Sequence, residues 1–434
     1  MRVVKYIIAG AFVVMGLFWF LVWAGVIPGL KTSSATRVAK GALTIWSVDD
    51  NAAVMKGVIE AFSASNPGIK VSFIPKNPAT YEDELVRAFA AGTGPDVFSV
   101  HHTWPLRYAD ILAPAPRALA AELAVRERFV DVVARDFLLG DNLYGVPLYV
   151  DTLALYYNTN LFNSAGIVLP PEDWDAFVKD SRALTRRTAN GDIEIAGAAL
   201  GGARNVVNAS DILAMLMLQY GAPMTGEDGK SVRLRSAGGT APSEQALAFY
   251  ASFARANDPH FSWSKDFSGT SEDLFSQNKA AMMLGYSGAR ARIVKKSPYV
   301  QFAVAPLPQV QGAVFHKNYA DYWGYGAYKS GTNKDAAWQF VSFLAQSGVS
   351  RAYLAATGRP AAQRTLVVEQ QQNPAMKAFA NQSLTAVSWA QPDATVVRDV
   401  FLEMIEAQIT TDQPVKQTIQ NGESKINALV KKTR

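Results

Sequence analysis

Cysteine is absent from all 434 residues, so neither a disulfide framework nor a thiolate metal site is open to this chain. Histidine is nearly absent: there are four. Two of them, His101 and His102, are neighbours, so on a strand they would point to opposite faces. No His-x-x-x-His spacing offers a helical zinc site; we therefore place the pair in a loop and expect no metal and no cofactor. Long blocks of like charge are missing too. The formal net charge of +5 includes Arg2 and Lys5, and the one short basic cluster is Lys431, Lys432 and Arg434, which leaves no basic stripe for nucleic acid. Internal repeats and low-complexity segments are also lacking.

What is present begins with an uncharged run from Ile7 to Ile27, about 31 Å long as a helix and matched to the hydrocarbon core of a bilayer. That run is longer than the apolar region of an ordinary signal peptide. We read residues 1–30 as an N-terminal transmembrane anchor, with a cleaved signal sequence ending near Ser33-Ser34-Ala35 as the alternative. Arg2 and Lys5 on its short side place the N-terminus in the cytoplasm and everything after it outside. Residues 31–41 are polar and rich in Ser and Thr, as a flexible linker is.

The rest of the chain is too long for one core, since a domain averages roughly 150 residues. Leu43–Ser47 alternates as a strand, Ala52–Ala64 carries Val54, Val58, Ile59 and Phe62 on one helical face, and Ile69, Val71 and Phe73 form a second strand. Thr80 and Asp83 have the spacing of a capping box opening a helix to Ala91, and Pro95–Val100 is a third strand. Such alternation predicts an α/β fold with a parallel sheet and ligands at the carboxyl ends of its strands. Farther on, helices are predicted over Glu172–Arg187, Asp211–Tyr220 with Ser210 as cap, Gln245–Ala254, Ala336–Leu344, Asn373–Ser383, Thr395–Ile409 and Val415–Val430. Short buried strands are predicted at Ala280–Leu284 and Val300–Ala305.

Gly140–Asn160, GDNLYGVPLYVDTLALYYNTN, has a turn, an extended approach and an alternating strand, the pattern of a passage between two lobes. The segment LYGVPLYVDTLALYYNTNLFNSAGIVLPPEDWDAF resembles the signature of the family 1 extracellular solute-binding proteins of ABC importers, the maltose-binding-like group. The stretches PGIKVSFI, AGTGPDVFSV, FSQNKAAMMLGYS, VAPLPQ and DAAWQFVSFLAQ are similar to that family in the same order. The resemblance implies a two-lobed periplasmic-binding-protein fold of type II with a cleft between lobes. It further implies that Ala280–Leu284 and Val300–Ala305 return to the first lobe before Tyr319–Tyr328 crosses to the second. The division expected is residues 42–150 plus 280–321 for one lobe and 151–279 plus 322–434 for the other, with hinges at Val150–Thr152 and Asp321–Gly324.

A sugar offers flat apolar faces and a rim of hydroxyls, so its receptor needs aromatic planes with carboxylates, amides or Arg. Position selects Trp46 and Asp49 at the end of the first strand, Trp104 after the third, Asp151 in the crossing segment, Trp263 in the polar stretch HFSWSKDF, Tyr286 and Trp323. Each has an ordinary structural alternative: Trp46 and Trp104 could be core, and Asp151 could bond nearby backbone. Arg359 is added on the resemblance alone, which puts its loop on the second lobe. Trp174, Trp338 and Trp389 fall on apolar helical faces or at their ends and are read as packing. Gly285–Ala289 mimics a nucleophile elbow but ends in Ala289 where that motif needs Gly, so no catalytic residue is assigned. Adjacent Tyr156 and Tyr157 would point apart on a strand and cannot share an iron ion without a bulge.

The function expected is therefore non-enzymatic: a monomeric, extracytoplasmic, membrane-anchored receptor that closes on a mono- or oligosaccharide and delivers it to the permease subunits of an ABC transporter. The alternatives are an anchored sugar sensor or adhesion module and a carbohydrate-active enzyme.

Overall fold

A computed structural model describes residues 41–48, 50, 52–236 and 241–432. The apolar run, most of the linker and Asp49 lie outside the described residues; among those described, no helix is long and apolar enough to cross a membrane.

Two hydrophobic cores divide the molecule. The first gathers around a sheet in which Gly41–Ser47 is flanked in parallel by Ile69–Pro75 and Val97–His101. Leu43, Ile45, Val97 and Val100 are fully buried there, while the helix Ala52–Ser65 closes one face through Met55, Val58 and Phe62. This is the sheet that the alternating pattern predicts. The capping box does not form: Thr80 has φ −118° and ψ −3°, and its hydroxyl donates to Glu84 Oε1 at 2.6 Å rather than accepting from the backbone. Asn208, in the left-handed conformation, precedes the helix Ala209–Tyr220, so Ser210 lies inside that helix instead of capping it.

The second core surrounds the strand Ala154–Asn158, paired antiparallel on one side with Met282–Gly285 and on the other with Phe302–Ala305. That pairing corrects the expected division of the chain. Residues 280–305 build the second lobe, because both of their strands pair with the strand that follows the first crossing. The last expected crossing is reversed as well: Trp323–Tyr328 lies antiparallel to Val97–His101 in the sheet of the first lobe. Its continuation, Lys334–Leu344 and Ser347–Thr357, packs Trp338, Phe340, Val341 and Tyr353 into the first core. The chain then returns, and Val397, Phe401 and Ile405 of Ala394–Thr410 join Ile419 and Ile426 in the second core.

Three segments run between the lobes. Asp151–Thr152 pairs antiparallel with Asn318–Asp321, which pairs in parallel with Ala386–Val387. The first falls at an expected hinge, the second ends at Asp321 where the other expected hinge begins, and the third has no counterpart in the sequence reading. Short ladders of this kind allow one lobe to rotate on the other while each core stays intact.

Candidate functional site between the lobes

The parallel sheet aims its carboxyl ends at the gap, and the third strand stops at His101. Because the chain turns there, alternation no longer separates the two histidines, and their rings lie 4.4 Å apart. The loop expected for the pair from sequence begins at His102, whereas His101 is the last residue of the strand. His101 Nδ1 is 2.8 Å from Thr103 Oγ1, and His101 Nε2 is 2.7 Å from Asp321 Oδ1. His102 is 3% exposed, with Nδ1 3.3 Å from Asp136 Oδ2 and Nε2 3.7 Å from Asp321 Oδ1.

Charge is finely balanced here. Burial opposes a proton on His102, but Asp136 and Asp321 on either side outweigh it and lift its pKa to about 9. Burial and the charge of His102 hold His101 below its ordinary value. Burial alone would raise Asp321, yet the two histidines keep its carboxyl far below the usual range. From the second lobe comes Asp211, in the first turn of Ala209–Tyr220, whose Oδ2 accepts from the Tyr286 hydroxyl at 2.9 Å. Burial, reinforced by Asp321, pushes Asp211 to about 7.

These groups face a cavity of about 230 Å³ lined by His101 and Asp321 on one side and Asp211, Tyr319, Trp389 and Gln391 on the other. Gln391 donates to the Tyr319 hydroxyl at 2.9 Å. Trp389 stacks on Phe401 and is 6% exposed, while its indole N–H meets no acceptor within the protein. At the edge, Arg107 of the first lobe contacts Asp393 at 3.1 Å and Glu82 at 2.9 Å. Asp393 caps the helix Ala394–Thr410 of the second core, so this ion pair joins the lobes directly.

The residues singled out from sequence separate into two groups. Trp104 and Trp323 meet edge to face at 5.2 Å, and Trp323 packs at 4.8 Å against His101, so both belong to the first-lobe wall. Tyr286 reaches the cavity through Asp211. Asp151 is buried just behind it: Ser287 donates to its carboxylate from the backbone N–H at 3.1 Å and from the hydroxyl at 2.6 Å. The elbow-like Ser287 is thus held by a carboxylate.

The others lie elsewhere. Trp46 is half-buried on the first sheet with Lys76 Nζ 3.6 Å over its ring. Trp263, expected in the gap, is fully buried in the second core, where its N–H donates to Asn205 at 2.9 Å. Arg359 belongs to the first lobe rather than the second: it donates to the Tyr353 hydroxyl at 2.9 Å, lies 3.5 Å from Asp50 and stacks over Tyr149. Asp49 is outside the described residues. Tyr156 and Tyr157 do point apart, one toward Tyr286 O and the other against Phe162.

Sequence reasoning missed Asp211, Asp321, Tyr319, Trp389 and the histidine pair. A chemical signal existed only for Asp321, a lone acid in an otherwise aromatic crossing.

Comparison with known proteins agrees with this architecture. The sequence matches the family of bacterial extracellular solute-binding proteins over residues 46–350. A binding protein of Brucella abortus (strain 2308) is 26% identical over 334 residues, 74% of this chain and 77% of its own length. The maltotriose-binding protein of Pyrococcus abyssi (strain GE5 / Orsay) is 24% identical over 319 residues, 70% of this chain and 62% of that protein. Among solved structures, the sugar-binding protein MalE from Xanthomonas citri aligns with a TM-score of 0.76 at 20% identity, over 91% of this chain and 98% of that one. A solute-binding protein from Thermotoga lettingae bound with alpha-D-tagatose gives a TM-score of 0.70 at 20% identity, over 90% and 100% of the two chains. The structural likeness establishes the two-lobed periplasmic-binding-protein fold, and with most of its length matched, this chain belongs to the bacterial extracellular solute-binding protein family.

Proposed function

We propose that this chain is the extracytoplasmic receptor of an ABC importer and binds a small carbohydrate in the cavity between its lobes. The observation that carries the reading is the lining itself. Asp211 and Asp321 supply acceptors for sugar hydroxyls, Gln391 an amide, and Trp389 and Tyr319 aromatic surface of the kind a pyranose face covers. Both lobes contribute, so a solute touching both favours the closed arrangement by its differential affinity for it. A cavity of about 230 Å³ falls below the range of roughly 300–1,000 Å³ that suits larger ligands, which points to a small solute.

Curated relatives support the same class, among them the galactooligosaccharide-binding protein of Bacillus subtilis and the lactose-binding protein of Rhizobium radiobacter, at 27% and 26% identity over about a third of this chain. The apolar run at Ile7–Ile27 would tether the receptor beside its permease, a role that the absence of cysteine denies to a lipid anchor. Calorimetric titration of the full-length chain with mono- and disaccharides tests the proposal. Saturable heat for a sugar, lost in Asp211→Ala, is expected; heat for amino acids with none for any sugar refutes it. Co-purification of permease subunits with the anchored chain tests delivery.

A further inference from the structure

We propose that His101, His102 and Asp321 form a binding site for one divalent transition-metal ion on the first-lobe wall of the cavity. The three residues offer two imidazole nitrogens and a carboxylate oxygen, all within 4.8 Å of one another. In a tetrahedral zinc site with metal–nitrogen distances of about 2.0–2.1 Å, neighbouring ligand atoms stand roughly 3.3 Å apart. The separations from Asp321 Oδ1, 2.7 Å to His101 Nε2 and 3.7 Å to His102 Nε2, bracket that spacing, while the two imidazole nitrogens, within 4.8 Å of each other, close by up to about 1.5 Å to reach it.

The surroundings are those of a built site. A ligating imidazole needs its other nitrogen held by an oxygen, which fixes the ring and its tautomer. Thr103 Oγ1 stands 2.8 Å from Nδ1 of His101, and Asp136 Oδ2 stands 3.3 Å from Nδ1 of His102. Asp136 is itself fixed by the hydroxyls of Tyr322 at 2.7 Å and Ser388 at 2.5 Å.

An independent observation points the same way. His102 is almost wholly buried, yet its Nε2, 3.7 Å from Asp321 Oδ1, makes no hydrogen bond. Leaving a buried polar group unsatisfied is costly, and a metal on Nε2 removes the deficit on that side. Access exists because His101 and Asp321 both line the cavity, so a remaining coordination position opens toward the solute. Two imidazoles with one carboxylate suit zinc, nickel, copper or ferrous iron, and suit calcium or magnesium poorly.

Titration of the full-length, untagged, chelator-stripped chain with Co²⁺ and then Zn²⁺ tests the site. One saturable equivalent is expected, with Co²⁺ absorption bands of a nitrogen- and oxygen-ligated centre. His102→Gln and Asp321→Asn should abolish it, Asp136→Asn should weaken it roughly 10–100-fold, and exposed His316→Gln should leave it unchanged. Crystals of the unaltered protein soaked in Zn²⁺ make the result independent of whether the variants fold. An anomalous peak between His101, His102 and Asp321 supports the site. Absence of that peak, absence of saturable binding in the micromolar range, or a peak elsewhere with unchanged affinity in Asp321→Asn overturns it.

Discussion

Asp151 and Asp321 stand directly opposite each other in the crossing ladder, yet their carboxylates are satisfied in different lobes. Asp321 turns to His101 in the first, and Asp151 to Ser287 in the second. Like charges at facing positions of an antiparallel pair repel, and dividing them between lobes keeps the hinge free of that cost. Asp151 accepts from Ser287 and from the Thr152 backbone, but burial outweighs these bonds and lifts its pKa from 3.8 to about 6. The folded state therefore holds this proton where the unfolded chain has released it. Stability falls as pH rises from about 4 to about 6 and then levels, by up to about 3 kcal/mol from this group. Asp151→Asn cannot titrate, so its stability relative to the unaltered chain should improve across that window. Denaturant unfolding of both proteins at pH 4 and pH 7 measures the difference; an unchanged gap would mean that Asp151 is ionised throughout.

Arg107 and Asp393 make the direct ionic contact between the lobes described above, on side chains that keep 31% and 12% of their exposure. Such a partly solvated pair contributes at most about 1 kcal/mol, a small fraction of folding stability but enough to shift a closure equilibrium severalfold. Arg107→Gln should leave the denaturation midpoint nearly unchanged. It should enlarge the radius of gyration of the ligand-free protein in small-angle scattering and weaken solute binding by up to roughly fivefold. An identical scattering curve would show that closure does not depend on this pair.

The first sheet was legible because its strands alternate and are punctuated by Pro67-Gly68 and Pro95, local signals that survive without knowledge of the partner. Lobe assignment was not. Met282–Gly285 and Phe302–Ala305 are short, buried apolar runs, and nothing in such a run names the strand it will pair with. Trp263 misled because polar neighbours suggested exposure, whereas Ser262 and the Ser264 backbone are satisfied inside the lobe and only Lys265 and Asp266 face solvent. Ser262 donates to Ala198 O, and Asn205 bonds both the indole and the backbone of Ser264. Trp389 misled in the opposite sense: its ring packs as expected, but the residue also lines the cavity and its N–H meets no acceptor within the protein. Asp211 sits on a helix whose other residues are core, and only the fold sets it across from Asp321.

Asp211 gives the proposed site a pH dependence near neutrality. Its carboxyl, raised to about 7, is about half protonated in the unliganded protein at that pH. Sugar hydroxyls donate more strongly to a carboxylate than to a neutral acid, so solute binding favours the ionised form and lowers this pKa. Affinity for an uncharged sugar should therefore rise between pH 6 and pH 8, by roughly tenfold at most, or about 1.4 kcal/mol. Asp211→Asn should bind more weakly at pH 8 and lose the dependence. Calorimetry in buffers of different ionisation enthalpy would also register the proton released on binding.

Two tryptophan substitutions separate packing from recognition. Trp263→Ala removes a fully buried ring from the second core and the hydrogen bond to Asn205, and should cost about 3–5 kcal/mol of stability. Its solute affinity, measured on the fraction that remains folded, should be close to that of the unaltered chain. Trp389→Phe keeps an aromatic ring against Phe401 and deletes only the N–H that lacks a protein partner. Removing an unpaired buried donor cannot weaken the fold through lost hydrogen bonding, so stability should change by less than about 1 kcal/mol. If that N–H donates to the solute, affinity should fall by about tenfold, the worth of one well-made hydrogen bond. Urea titration and calorimetry on the same preparations decide the matter. A Trp389→Phe protein that binds every sugar as tightly as the unaltered chain would leave the indole as packing and move recognition to Trp323 and Trp104.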